Sequence, residues 1–99
     1  VKRINRYESK IRTILEGQGF TVLHRGVPDF LCFRLDKKRL PIDIAFIEVK
    51  SKQTPQVNEY QLQYSLVLSQ LGLNVIHVMA DDVMSIEQML KRIKNPSIW

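Results

Sequence analysis

The stretch that most constrains this chain is residues 42–52, IDIAFIEVKSK. With a period of two, Ile42, Ile44, Phe46, Glu48 and Lys50 share one strand face, and Asp43, Ala45, Ile47 and Val49 share the other. An apolar strand with this ending sets a carboxylate and an ammonium on one face, one above the other. Burying such a pair is costly unless each charge is matched or binds something. Read alone, it is equally a solvated Glu–Lys pair at a strand end, so its meaning depends on what the other elements bring to it.

At 99 residues the chain supports one domain, residues 1–99, with one modest core. A hydrophobic fraction of 44% excludes a disordered chain. The formal net charge of +5 and a pI near 9.6 favour an acidic partner, nucleic acid first and a membrane surface second. A single cysteine, Cys32, excludes an intrachain disulfide or a cysteine-based zinc framework; its apolar surroundings mark it as an inert core residue, and an intracellular setting is the expectation. No apolar run is long enough to span a membrane, and the basic start VKRINRY is not followed by the apolar segment of a secretion signal.

Around the central stretch, helical and strand patterns alternate. In residues 1–18, Tyr7, Ile11, Ile14, Leu15 and Gln18 share a helix face with Ile4, and Lys2, Arg6, Lys10 and Thr13 lie roughly opposite. Glu8 sits at the edge of the apolar arc, where an ordinary reading pairs it with Arg12 one turn on. Gly17 and Gly19 end the helix by supplying left-handed backbone. Residues 20–24 (FTVLH) and 29–35 (DFLCFRL) read as strands separated by Arg25-Gly26-Val27-Pro28. The charged turn Asp36-Lys37-Lys38-Arg39, with Leu40-Pro41, joins the second strand to the central one as a hairpin. Residues 53–56 form a loop and Asn58 is a candidate N-cap. Residues 59–71 then read as a second helix with Tyr60, Tyr64, Val67, Leu68 and Leu71 inward. Gln61 and Ser65 lie at one edge of that face, and Leu62 and Leu66 form a smaller apolar stripe elsewhere. Residues 74–79 (NVIHVM) make a fourth strand, and Asp81 or Asp82 caps a third helix to about Lys94, with Val83, Ile86, Met89, Leu90 and Ile93 inward.

The order α-β-β-β-α-β-α implies an α/β (α+β) chain: a four-stranded mixed sheet flanked by helices. The first three strands form an antiparallel meander, and a helical crossover makes the fourth parallel to the third. Asp29 opens one strand and Glu48 stands near the end of its antiparallel neighbour, so Asp29, Glu48 and Lys50 meet at one end of the sheet. Two adjacent carboxylates repel, and a divalent cation removes the conflict. With the Val49 backbone carbonyl as a third oxygen, the set suits magnesium or manganese. The Lys50 ammonium would then orient an attacking water and favour its deprotonation.

Gly26-Val27-Pro28-Asp29 followed by Glu48-Val49-Lys50 resembles the PD-(D/E)XK nuclease superfamily, with its restriction-endonuclease-like αβββαβ core. Glu8 stands where many members carry a helix glutamate. Gln61, eleven residues before Gly72, resembles the glutamine of the virus-type replication-repair nuclease (VRR-Nuc) branch. The Gly-x-Pro-Asp and Glu-Val-Lys forms favour that branch over archaeal-type Holliday junction resolvases. The resemblance spans roughly residues 7–79. It implies that Asp29, Glu48 and the Val49 carbonyl bind metal and that Lys50 serves the attacking water. It also implies that Glu8 assists metal or water binding, and that Gln61 positions the lysine, the water or the phosphate.

Lys2, Arg3, Arg6, Arg25 and Lys52 are the candidate DNA-binding cations. The Lys37-Lys38-Arg39 turn lies at the opposite end of the hairpin and is equally a solvated tip. His24 and His77 are strand residues with no role assigned. The expectation is a metal-dependent endonuclease acting on Holliday junctions or other branched DNA. The alternatives are a flap, nick or single-strand nuclease of the same chemistry, a non-catalytic DNA-binding module, and a small adaptor. A homodimer is expected, anchored by Leu62 and Leu66 or by Ile98-Trp99 after Pro96. Alternatively, Leu62 and Leu66 cover the third helix of the same chain. The expected location is the cytoplasm, at the nucleoid, or the host-cell cytoplasm if the source is viral.

Overall fold

Asn5 and Glu8 start the first helix. The Asn5 side chain accepts the Glu8 N–H at 2.9 Å, and the Glu8 carboxylate accepts the Asn5 N–H at 3.1 Å. This reciprocal capping box satisfies two amides that the first turn would otherwise leave unpaired. The helix, α1, runs Arg6–Gly17. The computed structural model describes residues 5–24, 29–51 and 59–94, and the backbone but not the side chain of Tyr60. Lys2, Arg3 and Ile4, the segment Arg25-Gly26-Val27-Pro28, Lys52, residues 53–56, Asn58, Pro96, Ile98 and Trp99 lie outside the described residues.

Two expectations for α1 are corrected. Glu8 closes the cap, and Arg12 pairs instead with Glu16 at 3.4 Å. Gln18 is the exposed C-cap, and of the two glycines only Gly19, at φ 89°, takes the left-handed backbone. Ile11 and Leu15 are buried, with Tyr7 and Ile14 packed beside them.

The strands are β1 (Thr21–His24), β2 (Phe30–Leu35), β3 (Pro41–Lys50) and β4 (Val75–Met79), in the sheet order β1-β2-β3-β4. The first two pairings are antiparallel and β3 with β4 is parallel. This is the expected α+β class, a four-stranded mixed sheet with three helices in the order α-β-β-β-α-β-α. The β2–β3 turn is held by Asp36, whose carboxylate accepts the Lys38 and Leu40 N–H groups.

The alternation expected along the whole central strand does not run through. A bulge interrupts the register opposite Cys32 and Arg34, and Asp43 there has φ 52°. The Arg34 guanidinium binds the Asp43 carboxylate, its Nε at 2.9 Å, and so ties the bulge to β2. Before the bulge, Ile42 and Ile44 are exposed. After it, Ala45, Ile47 and Val49 line one face, and Phe46, Glu48 and Lys50 the other.

The helices α2 (Glu59–Gln70) and α3 (Val83–Lys94) complete the chain. Helices α1 and α3 cover one face, where Val22, Phe30, Cys32, Ala45, Ile47, Ile76 and Val78 meet Ile11, Leu15, Ile86, Met89 and Ile93. Asp82 caps α3, its Oδ1 accepting the Met84 and Ser85 N–H groups. Val83, expected inward, is exposed because it occupies the first turn beyond the sheet end.

The α2 helix lies against the opposite face, reached through Gln61. Its inward side is the expected face only in part: Tyr64 and Leu68 turn inward, but Val67 and Leu71 do not, and the edge residues Gln61 and Ser65 do. Ser65 is buried, with Gln61, Tyr64 and Leu68 half-buried, whereas Val67 and Leu71 are exposed. Leu62 and Leu66 are 49% and 56% exposed, so they do not cover α3. Among the described residues no helix is long and apolar enough to cross a membrane.

Cys32 is fully buried in the core. Burial pushes its thiol up to about 12, against which a backbone hydrogen bond with Ala45 is the smaller effect. The native protein should therefore resist alkylation by iodoacetamide at neutral pH and react fully in denaturant. Rapid labelling of the folded chain would contradict this packing.

Candidate active site

The site is built where β3 outruns β2. In this part of β3 the backbone groups of Phe46 and Lys50 bond toward β4: the Phe46 N–H donates to the Asn74 carbonyl, and the Lys50 carbonyl accepts the Ala80 N–H. Those of Ala45, Ile47 and Val49 therefore point toward β2. One residue past the Phe30–Ile47 pair, the next rung is made by a side chain. The Val49 N–H donates to Asp29 Oδ2 at 2.8 Å. Asp29 is thereby fixed over the strand end at 2% exposure. The Val49 carbonyl shares the edge of its own N–H, so it too is on the Asp29 side.

Glu48 is 1% exposed, on the face toward α2. Lys50 stands on the same face, its Nζ 3.7 Å from Glu48 Oε1. Gln61, in the first turn of α2, bridges them. Its Oε1 accepts from Lys50 Nζ at 2.7 Å, and its Nε2 donates to Glu48 Oε1 at 2.9 Å. The amide has one sensible orientation here, since a flip would set oxygen against carboxylate and NH2 against ammonium. Side chains two residues apart on a strand are some 6–7 Å apart along the backbone. One amide spans that gap and satisfies both charges.

Asp29, Glu48, Lys50 and Gln61, all chosen from the sequence, are thus brought to one end of the sheet. Glu8 lies at the same end by topology, because α1 turns directly back into β1, which finishes beside Asp29. Glu8 is buried, and its described contact is the cap of α1. Arg6, beside it, is exposed, with its guanidinium over the Tyr7 ring at 4.8 Å. The candidate cations Lys2, Arg3, Arg25 and Lys52 lie outside the described residues.

No group of three or more His, Cys, Asp or Glu side chains placed to hold a metal ion occurs among the described residues. The Asp29 and Glu48 carboxylates and the Val49 carbonyl are hard oxygens, the donor type that magnesium or manganese takes. No protein-family model, curated protein or solved structure matches this chain.

Two features were not assigned from the sequence. The first is the cap, although Asn5-Arg6-Tyr7-Glu8 carries its signature of Asn followed three residues later by Glu. The second is His77, which pairs in register with Glu48. His24, by contrast, is on the core face, its ring 5.7 Å from that of Phe30 and its Nε2 buried without a hydrogen-bond partner.

His77 is exposed as a residue, yet its ring is partly desolvated by the sheet beneath. That desolvation, and then the Lys50 ammonium, lower its pKa below the ordinary 6.5. Folded His77 takes a proton less readily than the unfolded chain does. Its effect on stability is therefore absent above the ordinary value and grows unfavourable as pH falls below it. Lys50→Ala should raise the His77 pKa, as read by an NMR titration of the ring. An unchanged value would show that the ammonium does not act on it.

Proposed function

We propose that this chain is a metal-dependent endonuclease of the PD-(D/E)XK superfamily, close to the VRR-Nuc branch, which hydrolyses DNA phosphodiester bonds. The observation that carries the reading is the Gln61 bridge between Glu48 and Lys50, next to an Asp29 anchored on the Val49 amide. A surface Glu–Lys pair would have no reason to be buried or to recruit a glutamine from another element.

In this reading Asp29, Glu48 and the Val49 carbonyl hold magnesium or manganese, which when bound polarises the phosphate and lowers the pKa of water. The protein's own groups do the rest. The Lys50 ammonium hydrogen-bonds the attacking water or a phosphate oxygen and favours the deprotonated nucleophile. Gln61 keeps that ammonium from collapsing onto Glu48. Glu8 holds the start of α1 at this end of the sheet and assists through solvent. Arg6, with Lys2, Arg3, Arg25 and Lys52, neutralises phosphates of the bound strand.

The favoured substrate is a Holliday junction or other branched DNA, cut by a homodimer. Two equivalent sites match a junction with two strands to cut, and a two-fold axis is the commonest form of self-association. Exposed Leu62 and Leu66 on α2 supply apolar anchors for that contact. A DNA substrate implies action in the cytoplasm, at the nucleoid, or in the cytoplasm of a host cell. Sedimentation at micromolar concentration should give a dimer. A monomer with and without junction DNA would favour a flap or nick nuclease.

Lys50→Ala should abolish cleavage while leaving DNA affinity nearly intact, since one of fifteen Lys and Arg residues supplies little of the non-specific attraction. Loss of binding with retained cleavage of the bound fraction would make Lys50 a phosphate contact only. Gln61→Ala should lower turnover roughly 10–100-fold, the usual effect of removing a group that orients a metal site. Its thermal stability should fall by no more than the ~1–3 kcal/mol of one hydrogen bond lost from a buried carboxylate, so that the variant stays folded under assay conditions. Equal turnover would return Gln61 to a structural role.

A further inference from the structure

We propose that His77 is a substrate-contact residue whose imidazole hydrogen-bonds a backbone phosphate of the bound nucleic acid beside the Glu48–Lys50 pair. The inference rests on the nuclease reading and adds a residue that the PD-(D/E)XK motifs do not include. Asp29, just before β2, Glu48 of β3 and His77 of β4 form a row across the sheet end. Asp29 lies one residue past the Phe30–Ile47 pair, and Glu48 is paired with His77. Adjacent members of such a row are separated by the strand spacing of about 4.8 Å.

The row is closed at one end and open at the other. Asp29 and Glu48 are buried, whereas His77 is exposed. It is the one exposed residue in β4. Ile76 and Val78 are buried on the core face, and on its own face Val75 is buried and Met79 half-buried. Among the described residues, α2 therefore leaves His77 open directly beside Glu48. β4 is also an edge strand of the sheet, so His77 stands at the margin of this face. Lys50 stands on the same face, two residues past Glu48 in the β3–β4 register, so its ammonium and the imidazole are neighbours on this side of the sheet. Two neighbouring nitrogen donors suit a phosphate oxygen. A neutral imidazole keeps one N–H donor, so the contact needs no protonation.

The test uses steady-state cleavage of branched DNA in magnesium and histidine-ring NMR of the full chain. His77→Ala should raise KM roughly ten-fold, the loss of one hydrogen bond to a charged group, with a smaller change in kcat. His77→Gln, which keeps an N–H donor, should recover part of that loss. The chain has two histidines, which makes the spectrum self-controlled. Titrating a short duplex in EDTA should shift the His77 ring signals and leave those of half-buried His24, on the core face, in place. An unshifted His77 ring together with wild-type KM in His77→Ala would overturn the contact, and so would a fall in kcat alone. If wild-type protein cuts no DNA, the nuclease reading fails by itself, and the ring shift still decides whether His77 meets the phosphate backbone.

Discussion

A carboxylate with 1% exposure in an inner strand has to be compensated, and the arrangement of this end of the molecule follows from how Glu48 is. An unpaired buried charge is among the most destabilising features a fold can contain. Here the compensation comes from two directions. Lys50 supplies an opposite charge from the same strand, and Gln61 supplies an amide from α2 that serves both groups at once. The polar contact also accounts for how α2 sits. Its apolar residues are spread around the helix, so no single stripe dictates which side turns inward. The Gln61–Ser65 side does so, leaving Val67 and Leu71 in solvent.

The sheet thereby divides its work between two faces. Toward α1 and α3 it presents a continuous apolar layer, with Phe30, Ile47, Ile76 and Val78 beneath Ile11, Leu15, Met89 and Ile93. Most of the apolar burial, and so most of the stabilising free energy, lies there. Toward α2 it presents Glu48, Lys50 and His77, a thin polar layer that adds little packing. The buried Cys32 thiol belongs to the first face and the polar groups of the candidate site to the second.

The fold class was legible because the helices and strands carry distinct periods, and because Gly and Pro mark most of the turns. The Asp29–Glu48–Lys50 convergence was legible for a simpler reason: a short hairpin fixes which strand ends meet. Two things were not fully so. The bulge at Asp43 is set by a pairing with Arg34 nine residues away, so the alternation of residues 42–52 failed at Ile42 and Ile44 without any local warning. The facing of α2 was legible only in part: Tyr64 and Leu68 turn inward, but Val67 and Leu71 do not, because the hydrogen-bonded Gln61 turns the helix toward the edge of its apolar face. His77 escaped notice for a related reason. Its neighbour Glu48 lies on another strand, and parallel register across a crossover cannot be counted along the chain.

If the two buried carboxylates and their lysine form a hydrolytic site, activity must depend on a divalent cation and on Glu48 together. The most direct measurement is single-turnover cleavage of labelled four-way, flap and linear DNA by wild type and Glu48→Gln, each in magnesium and in EDTA. The account predicts cuts by wild type in magnesium only, strongest on the four-way junction, and none by Glu48→Gln in any condition. Equal cleavage in EDTA, equal cleavage by Glu48→Gln, or no cleavage of any DNA by wild type in magnesium would contradict it.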